Sequence, residues 1–380
     1  MGLPAALCRA ARHLIDRVDA GSLWRRWQGR PAVDAVCLRA AHDDTERRRC
    51  FARRVGGEPT ALARRYGLAG VRGQTRLLNL TTAELATRSG RRRARPLLLE
   101  ALQALQQQGV RVVALPETLQ RLFGREGRGL SARFPGLVFT HGLNARVCLL
   151  GQELARLLQV SGLRRPRLLV LGACQPLGQA LAERLQAQGH DLLAWGAGRA
   201  RLLAWAQRSS VAVQPVFERI GPVDVVLVCG PVPASQLVRL QPGPGRPLLL
   251  LDGAEPAGVA AGTLRTAAGR LWHQRVGQCQ APGLRQGLAW AWRSGCPVPA
   301  VVAEALALVQ LLARQPQGLQ GFQDGQGFQP SAAQQFRVAR AFAELGLDLP
   351  PPCSRGRPVG IPRLAALVES AWPEVSVTQP

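Results

Sequence analysis

The residues with the clearest chemical spacing are Gly172-Ala173-Cys174-Gln175-Pro176-Leu177-Gly178. They follow a mostly apolar run, Arg167–Leu171, and precede a helical pattern that extends to Gln188. Glycine in such a place lets the backbone approach a pyrophosphate, and the N-terminus of the following helix supplies unpaired N–H groups and a partial positive charge. Pro176 suits the first helical turn, where a missing N–H costs no hydrogen bond. Gly172, Ala173 and Gly178 are therefore the expected cofactor-binding residues of a dinucleotide site; a scaffold without a ligand is the alternative. Cofactor choice is read after the next strand. An Asp or Glu there would hold the ribose hydroxyls of NAD, but this chain has Trp195-Gly196-Ala197-Gly198-Arg199-Ala200-Arg201. Arg199 or Arg201 suits a 2′-phosphate, which makes NADPH the expected cofactor; arginines merely solvated on a helix are the alternative.

Such a loop needs a parallel sheet to carry it. Arg167–Leu171, Asp191–Trp195, Val211–Val216, Asp224–Cys229 and Pro247–Leu251 read as five strands, with helices to Gln188, over Arg199–Arg208 and over Ala234–Leu240. This alternation predicts an α/β fold: a Rossmann-like doubly wound parallel sheet, joined to an N-terminal α/β substrate domain and C-terminal helices. The expected divisions are an arginine-rich helical extension (1–70), a substrate-binding domain (71–160), an NADP-binding domain (161–295), C-terminal helices completing the active-site cleft (296–347) and a loosely ordered Pro-rich tail (348–380). In the second of these, Thr75–Leu80 reads as a short strand, Thr81–Glu84 as a helix start, Arg95–Gln108 as a helix, and 124–136 as a glycine-rich loop. Val298–Gln315 reads as a strongly apolar helix containing Glu304, and Ser331 as the cap of a last helix.

Absences narrow the chemistry. All 49 basic residues are arginine and Tyr66 is the sole tyrosine, which excludes a P-loop lysine, a Schiff-base lysine and a Tyr-x-x-x-Lys pair. The 9 cysteines are dispersed, with no Cys-x-x-Cys and no His at zinc spacing, so no metal is expected and a reducing, cytoplasmic setting fits. The net charge of +25 attracts anions such as phosphorylated cofactors, acidic carrier proteins or anionic lipid. Aromatics interleave poorly with the arginine clusters at Arg47–Arg49, Arg64–Arg65 and Arg91–Arg93, so no specific nucleic-acid binding is expected. No stretch of about 18 residues is apolar and uncharged, so no spanning helix is expected. Leu3, Leu7, Ala10 and Leu14 share a helical face, which leaves peripheral membrane contact open beside an ordinary first helix.

Short segments in a shared order then carry a resemblance: Gly73-Gln74-Thr75-Arg76, Thr82-Ala83-Glu84-Leu85, Phe139-Thr140-His141-Gly142, Gly172-Ala173 with Gly178, Leu251-Asp252-Gly253, Val276-Gly277-Gln278-Cys279, Ala303-Glu304-Ala305-Leu306 and Gly327-Phe328-Gln329. From about residue 72 to 345 the chain resembles the cyanobacterial long-chain acyl-carrier-protein reductases, enzymes of lipid metabolism that form fatty aldehydes. The resemblance implies an acyl thioester drawn from acyl carrier protein or acyl-CoA, transfer of the acyl group to a cysteine thiolate, and hydride from NADPH. The family's cysteine position is Val301 here, its second loop glycine is Gln175, and the family's arginine after the second strand falls on Ala197. With that cysteine replaced, Cys296 is the candidate nucleophile and Cys279 a residue lining the pocket; the other route is direct reduction of a free carbonyl with His141 or His273 as proton donor, and Glu304 is a candidate catalytic residue whose alternative is buried helix packing. A nucleotide-binding relative without reductase chemistry is the alternative.

Overall fold

Val, Leu and Ala dominate the segments that pair first. In the computed structural model, β1 (Ala35–Ala41) lies between two parallel neighbours, β3 (Val71–Thr81) and β4 (Val112–Ala114), and β5 (Val138–Thr140) extends the parallel set. β2 (Thr60–Leu68) turns back on β3, and two short strands, β12 (Arg285–Gly287) and β13 (Arg293–Ser294), complete a 7-stranded sheet in the order β13-β12-β2-β3-β1-β4-β5. The structure describes residues 20–51, 59–123, 128–163, 165–243, 248–255, 257–260, 262, 271–287, 293–314, 330–354, 357–360, 362 and 365. The helix face at Leu3–Leu14 and the Gly327-Phe328-Gln329 match lie outside the described residues. The chain divides into two compact units, one of residues 1–145, 279–329 and 336–348, the other of 146–278, 330–335 and 349–380.

In the first unit both sheet faces are covered. Val36, Leu38, Leu80, Val113 and Phe139 pack with Leu98, Leu102 and Leu105 of the helix Arg88–Gln107. The apolar helix Ala300–Arg314 packs against β1, β3 and β4, so closely that a Cβ on Gly73 would lie 2.9 Å from Leu306 Cδ2. The expectation of a helical residue 1–70 segment is corrected here, because β1 and β2 fall within it. With helices on either side, β1 is apolar at nearly every position and lacks the period-two signal of a half-exposed strand. The β2–β3 turn, Ala69-Gly70, has φ of 49° and 80°, which matches the twist of a two-residue hairpin. The strand expected at Thr75–Leu80 is the longer β3, and the expected loop 124–136 contains a helix at Arg128–Arg133.

In the second unit a 7-stranded sheet has the order β16 (Arg357–Pro358), β15 (Cys353–Ser354), β10 (Leu271–Arg275), β9 (Leu248–Asp252), β8 (Val225–Val228), β6 (Leu168–Leu171), β7 (Leu192–Trp195). Five of its strands run parallel: β6, β7, β8, β9 and β10. All residues of β6, β8 and β9 are buried, as both-face burial requires of the apolar runs in the sequence. Beyond β7, Val213 makes a single parallel bridge to Ala194. The strand expected at Val211–Val216 is thus reduced to that bridge, but it holds its place in a doubly wound order. The tail expected to be loose supplies β15 (Cys353–Ser354) and β16 (Arg357–Pro358), antiparallel to each other and, through Gln274 and Ser354, to β10. The fold is α/β and Rossmann-like.

One junction in the first unit has no spare volume. Thr81 and Glu84 form a reciprocal capping box on helix Thr82–Ala86, and Thr87 Oγ1 then accepts from Gly90 N at 3.0 Å to cap helix Arg88–Gln107. A Cβ on Gly90 would stand 1.9 Å from the Glu84 carbonyl oxygen, which is backbone and cannot swing aside. Gly90→Ala is expected to destabilise the first unit by about 1–3 kcal/mol despite alanine's better helix propensity, measurable by urea unfolding.

Candidate functional site

At the carboxyl end of β6 the chain turns sharply. Gly172 takes φ 92°, and its N–H and that of Ala173 both donate to the Trp195 carbonyl at 2.9 Å. Gln175 N donates back to the Gly172 carbonyl at 2.8 Å, and Pro176 opens the helix Pro176–Ala187. A Cβ on Gly172 would lie 2.8 Å from Gly230 N, and one on Gly178 would lie 2.5 Å from the Gly172 carbonyl oxygen. Gly172, Ala173 and Gly178 thus gather at one point, where the order of β6 and β8 reverses the winding of the sheet. Gln175 makes no side-chain cap, so the N–H groups of Leu177 and Gly178, in the first turn, have no intrahelical acceptor. The backbone at this crossing is free of side-chain bulk and presents amide donors, which fits a dinucleotide pyrophosphate.

The end of β7 packs directly onto this turn. A Cβ on Gly196 would stand 2.6 Å from Cys174 Sγ, and Cys174 Sγ donates to the Gly198 carbonyl at 3.4 Å. Helix Arg199–Ser209 starts there, with Arg199 and Arg201 in its first turn. Both are exposed, and neither has a hydrogen-bond or ion-pair partner among the described residues. Two guanidinium groups beside this turn are suited to a phosphate.

Sequence pattern gives no role to the group that holds the far side of this crevice. Asp252, fully buried at the end of β9, accepts from Ala254 N at 3.1 Å, from Gly258 N at 3.2 and 3.1 Å on its two oxygens, and from Val259 N at 3.3 Å. Arg275 Nη1 is 3.3 Å away, and His273 Nε2 stands at 3.7 Å, an ion-pair rather than a hydrogen-bond separation. Burial alone would raise the Asp252 pKa; His273, Arg275 and the amides of Gly258 and Ala254 outweigh it and hold the carboxyl below the ordinary value. The loop so held packs on the β8 end, where Val232 N donates to the Gly258 carbonyl at 3.0 Å. The one local signal is an acid followed by glycine directly after a strand. Nearby Cys229 is fully buried, and desolvation, with the Asp252 charge, pushes its thiol pKa up.

In the first unit, Thr140 at the end of β5 donates its hydroxyl to Glu304 Oε1, while Ala145 N donates to Glu304 Oε2 at 2.6 Å. Glu304 is fully buried, and its carboxylate ties the sheet edge and the first turn of helix Leu143–Ser161 to helix Ala300–Arg314. That is a positioning role. Gly142, at φ 76°, lies so close to Val301 that a Cβ would come within 2.5 Å of Val301 Cα. His141 is buried and its Nδ1 accepts from Leu143 N at 3.2 Å, so the neutral ring carries its proton on Nε2. Thr140, His141, Gly142, Val301 and Glu304 thus form one cluster. Cys296 is partly exposed in the turn between β13 and β14 (Val298–Pro299). Cys279 is buried, and burial pushes its thiol up to about 12, which leaves almost no thiolate near neutrality. Among the described residues, no group of three or more His, Cys, Asp or Glu side chains gathers as a metal site would, and no helix is long and apolar enough to cross a membrane.

No protein-family profile matches the chain, and no curated protein matches it. Solved structures do. L-tryptophan dehydrogenase from Nostoc punctiforme aligns at 10% identity over 82% of this chain and 80% of that chain, with TM-score 0.37. Shikimate 5-dehydrogenase from Thermus thermophilus in complex with shikimate aligns at 17% identity over 83% of this chain and 99% of that chain, with TM-score 0.36. The same enzyme in complex with NADP(H) and shikimate aligns at 14% identity over 81% and 98%, with TM-score 0.35. No substrate follows from likenesses this distant; the doubly wound assignment stands on this chain's own strand order.

The depressed Asp252 carboxyl has a stability consequence. Its contribution is complete above the unfolded-state value of about 3.9 and is lost as pH falls through the lower folded-state value. Asp252→Asn is expected to cost about 1–3 kcal/mol at neutral pH, and the deficit relative to the parent is expected to shrink as pH drops from about 4 to 2. Denaturant unfolding of both chains across that range checks this.

Proposed function

We propose that the chain is an NADP-dependent oxidoreductase acting on a carbonyl carbon of the acyl or aldehyde class. The observation that carries this reading is the side-chain-free turn at Gly172, Gly230 and Gly178 with Arg199 and Arg201 beside it. Leu177 N and Gly178 N would hold the pyrophosphate, and Arg199 and Arg201 the 2′-phosphate. The bound cofactor would supply a hydride. His141 Nε2 is the chain's candidate proton donor to the carbonyl oxygen.

The resemblance to long-chain acyl-carrier-protein reductases supports the finer reading, reduction of an acyl thioester to a fatty aldehyde, with acyl carrier protein or acyl-CoA as the donor. The thiol for that route would be Cys296, since Val301 has no nucleophile and the Cys279 thiol is held protonated. The thiolate would take the acyl group and release the carrier thiol. Hydride addition would then release the aldehyde and return the thiolate. The tight packing of Val301 against Gly142 favours a second reading, a nucleotide-binding relative that no longer turns over a thioester.

Calorimetry tests the cofactor site that both readings share, and turnover separates them. Arg199→Ala with Arg201→Ala is expected to weaken NADPH binding about 10–100-fold and leave NADH binding almost unchanged. Gly172→Val should abolish binding of both. If the folded parent takes up neither coenzyme, the oxidoreductase reading is wrong. With an acyl-carrier-protein thioester and NADPH, Cys296→Ser is expected to lower aldehyde formation by at least about 100-fold at unchanged NADPH affinity. NADPH binding with no aldehyde from the parent would support the second reading instead.

A further inference from the structure

The helix Ala20–Trp27 is built inside out. An ordinary surface helix buries its apolar stripe and solvates its charges. Here the Arg25 side chain is only 12% exposed and fully engaged: Nε donates to the Pro31 carbonyl at 2.9 Å, Nη1 to the Gly70 carbonyl at 2.9 Å, and Nη2 to Asp34 Oδ1 at 2.6 Å. The apolar residues point away. Leu23 is 55%, Trp24 58% and Trp27 77% exposed, and the two indoles stack with centroids 4.8 Å apart. Exposed Arg26 and Arg30 flank them and have no ion-pair partner among the described residues.

Beside this helix lies an open recess of about 410 Å³ lined by Arg25, Arg72 and Arg285 with the backbone of the Ala69-Gly70 turn and Gly283. Among the described residues, no carboxylate lines it. Arg285 is exposed and has no ion-pair partner among the described residues. The recess offers the Arg285 guanidinium to an anionic group, and the indole pair of the helix offers an amphipathic surface. Indole is the side chain best suited to a headgroup layer, with an apolar ring and an N–H for the wet side, and guanidinium pairs bidentately with phosphate.

We propose that this face docks on an anionic phospholipid surface, with Trp24 and Trp27 entering the headgroup layer and lipid phosphates paired with the exposed Arg26, Arg30 and Arg285. The helix is about 12 Å long, so it lies in the interface and does not span it. Charge complementarity selects the occupant. Exposed tryptophans alone would accept an apolar protein partner, but here exposed Arg26 and Arg30 flank them and Arg285 lines the recess beside the helix, and a bilayer presents phosphates at high density beside an apolar layer.

The test uses the full chain and sedimentation with vesicles of phosphatidylglycerol mixed with phosphatidylcholine, against vesicles of phosphatidylcholine alone, at about 0.1 M salt. The parent is expected to bind the anionic vesicles at least about 10-fold more tightly. Trp24→Ser with Trp27→Ser should weaken that binding about 10-fold, and Arg26→Ser with Arg285→Ser should abolish the preference for anionic lipid. Circular dichroism melting checks that the variants fold; all four positions are exposed, so unchanged melting is expected. Equal vesicle binding by the tryptophan variant would overturn the proposal. So would vesicle-free behaviour in which the tryptophans govern self-association by size-exclusion light scattering, or in which the arginines bind inorganic phosphate or duplex DNA but not vesicles.

Discussion

The second unit depends on backbones that approach closer than any side chain allows. Gly178 sits against the Gly172 carbonyl, Gly172 against Gly230 N, and a Cβ on Gly258 would lie 2.4 Å from the Gly230 carbonyl oxygen. These contacts run in series across the carboxyl ends of β6, β8 and β9. A methyl group at any of them would part the strand ends or block the crevice. The contacts survive because each has a polar restraint nearby: the Trp195 carbonyl takes two amides on one side, and the Asp252 carboxylate takes three on the other. A buried carboxylate is expensive unless its oxygens are filled, and here they are filled by the loop whose position matters. The same glycines that let the sheet twist past itself leave the space a pyrophosphate would need.

The first unit uses a carboxylate in a similar way for a different purpose. Glu304 is the one charged residue in the buried face of an otherwise apolar helix, and it spends both oxygens on Thr140 and on the first turn of helix Leu143–Ser161. Helix N-termini attract negative charge, so the carboxylate suits the first turn that it meets at Ala145. This geometry also brings Val301 against Gly142, next to His141, and among the described residues no thiol is recorded at that contact. The position that the resemblance marks for a nucleophile is thus a packing residue.

The arginine excess divides by function once burial is known. Arg25, Arg39 and Arg156 are drawn inward, each with a carboxylate partner: Asp34, Glu46 and Glu153. Glu153 itself is nearly fully buried, and desolvation outweighs its arginine to raise its pKa. Arg199, Arg201, Arg26 and Arg285 stay outward without partners among the described residues. Codon preference for arginine over lysine would affect all of these alike. The guanidinium's capacity to bond a carbonyl and a carboxylate at once is what lets Arg25 turn its helix over and leave the tryptophans in solvent.

The sequence alone determined the Rossmann-like core, because both-face burial demands short unbroken apolar runs and each run is bounded by a glycine or a helix start. Leu168–Leu171 with Gly172 and Gly178, and Leu248–Asp252, were legible for that reason. The same logic failed on Ala35–Ala41, whose alanine-rich run is as compatible with a helix as with a strand until helices on both faces decide it, and on Val211–Val216, where local β-propensity found only one bridge to β7. Tertiary structure alone decided the roles of the polar groups. Thr140 and Glu304 are 164 residues apart and Asp252 and Arg275 are 23 apart, and no local pattern specifies which buried carboxylate meets which donor. Apolar burial is a property of neighbours in sequence and leaves a period to read; hydrogen bonding between distant side chains is a property of where the backbone finally runs.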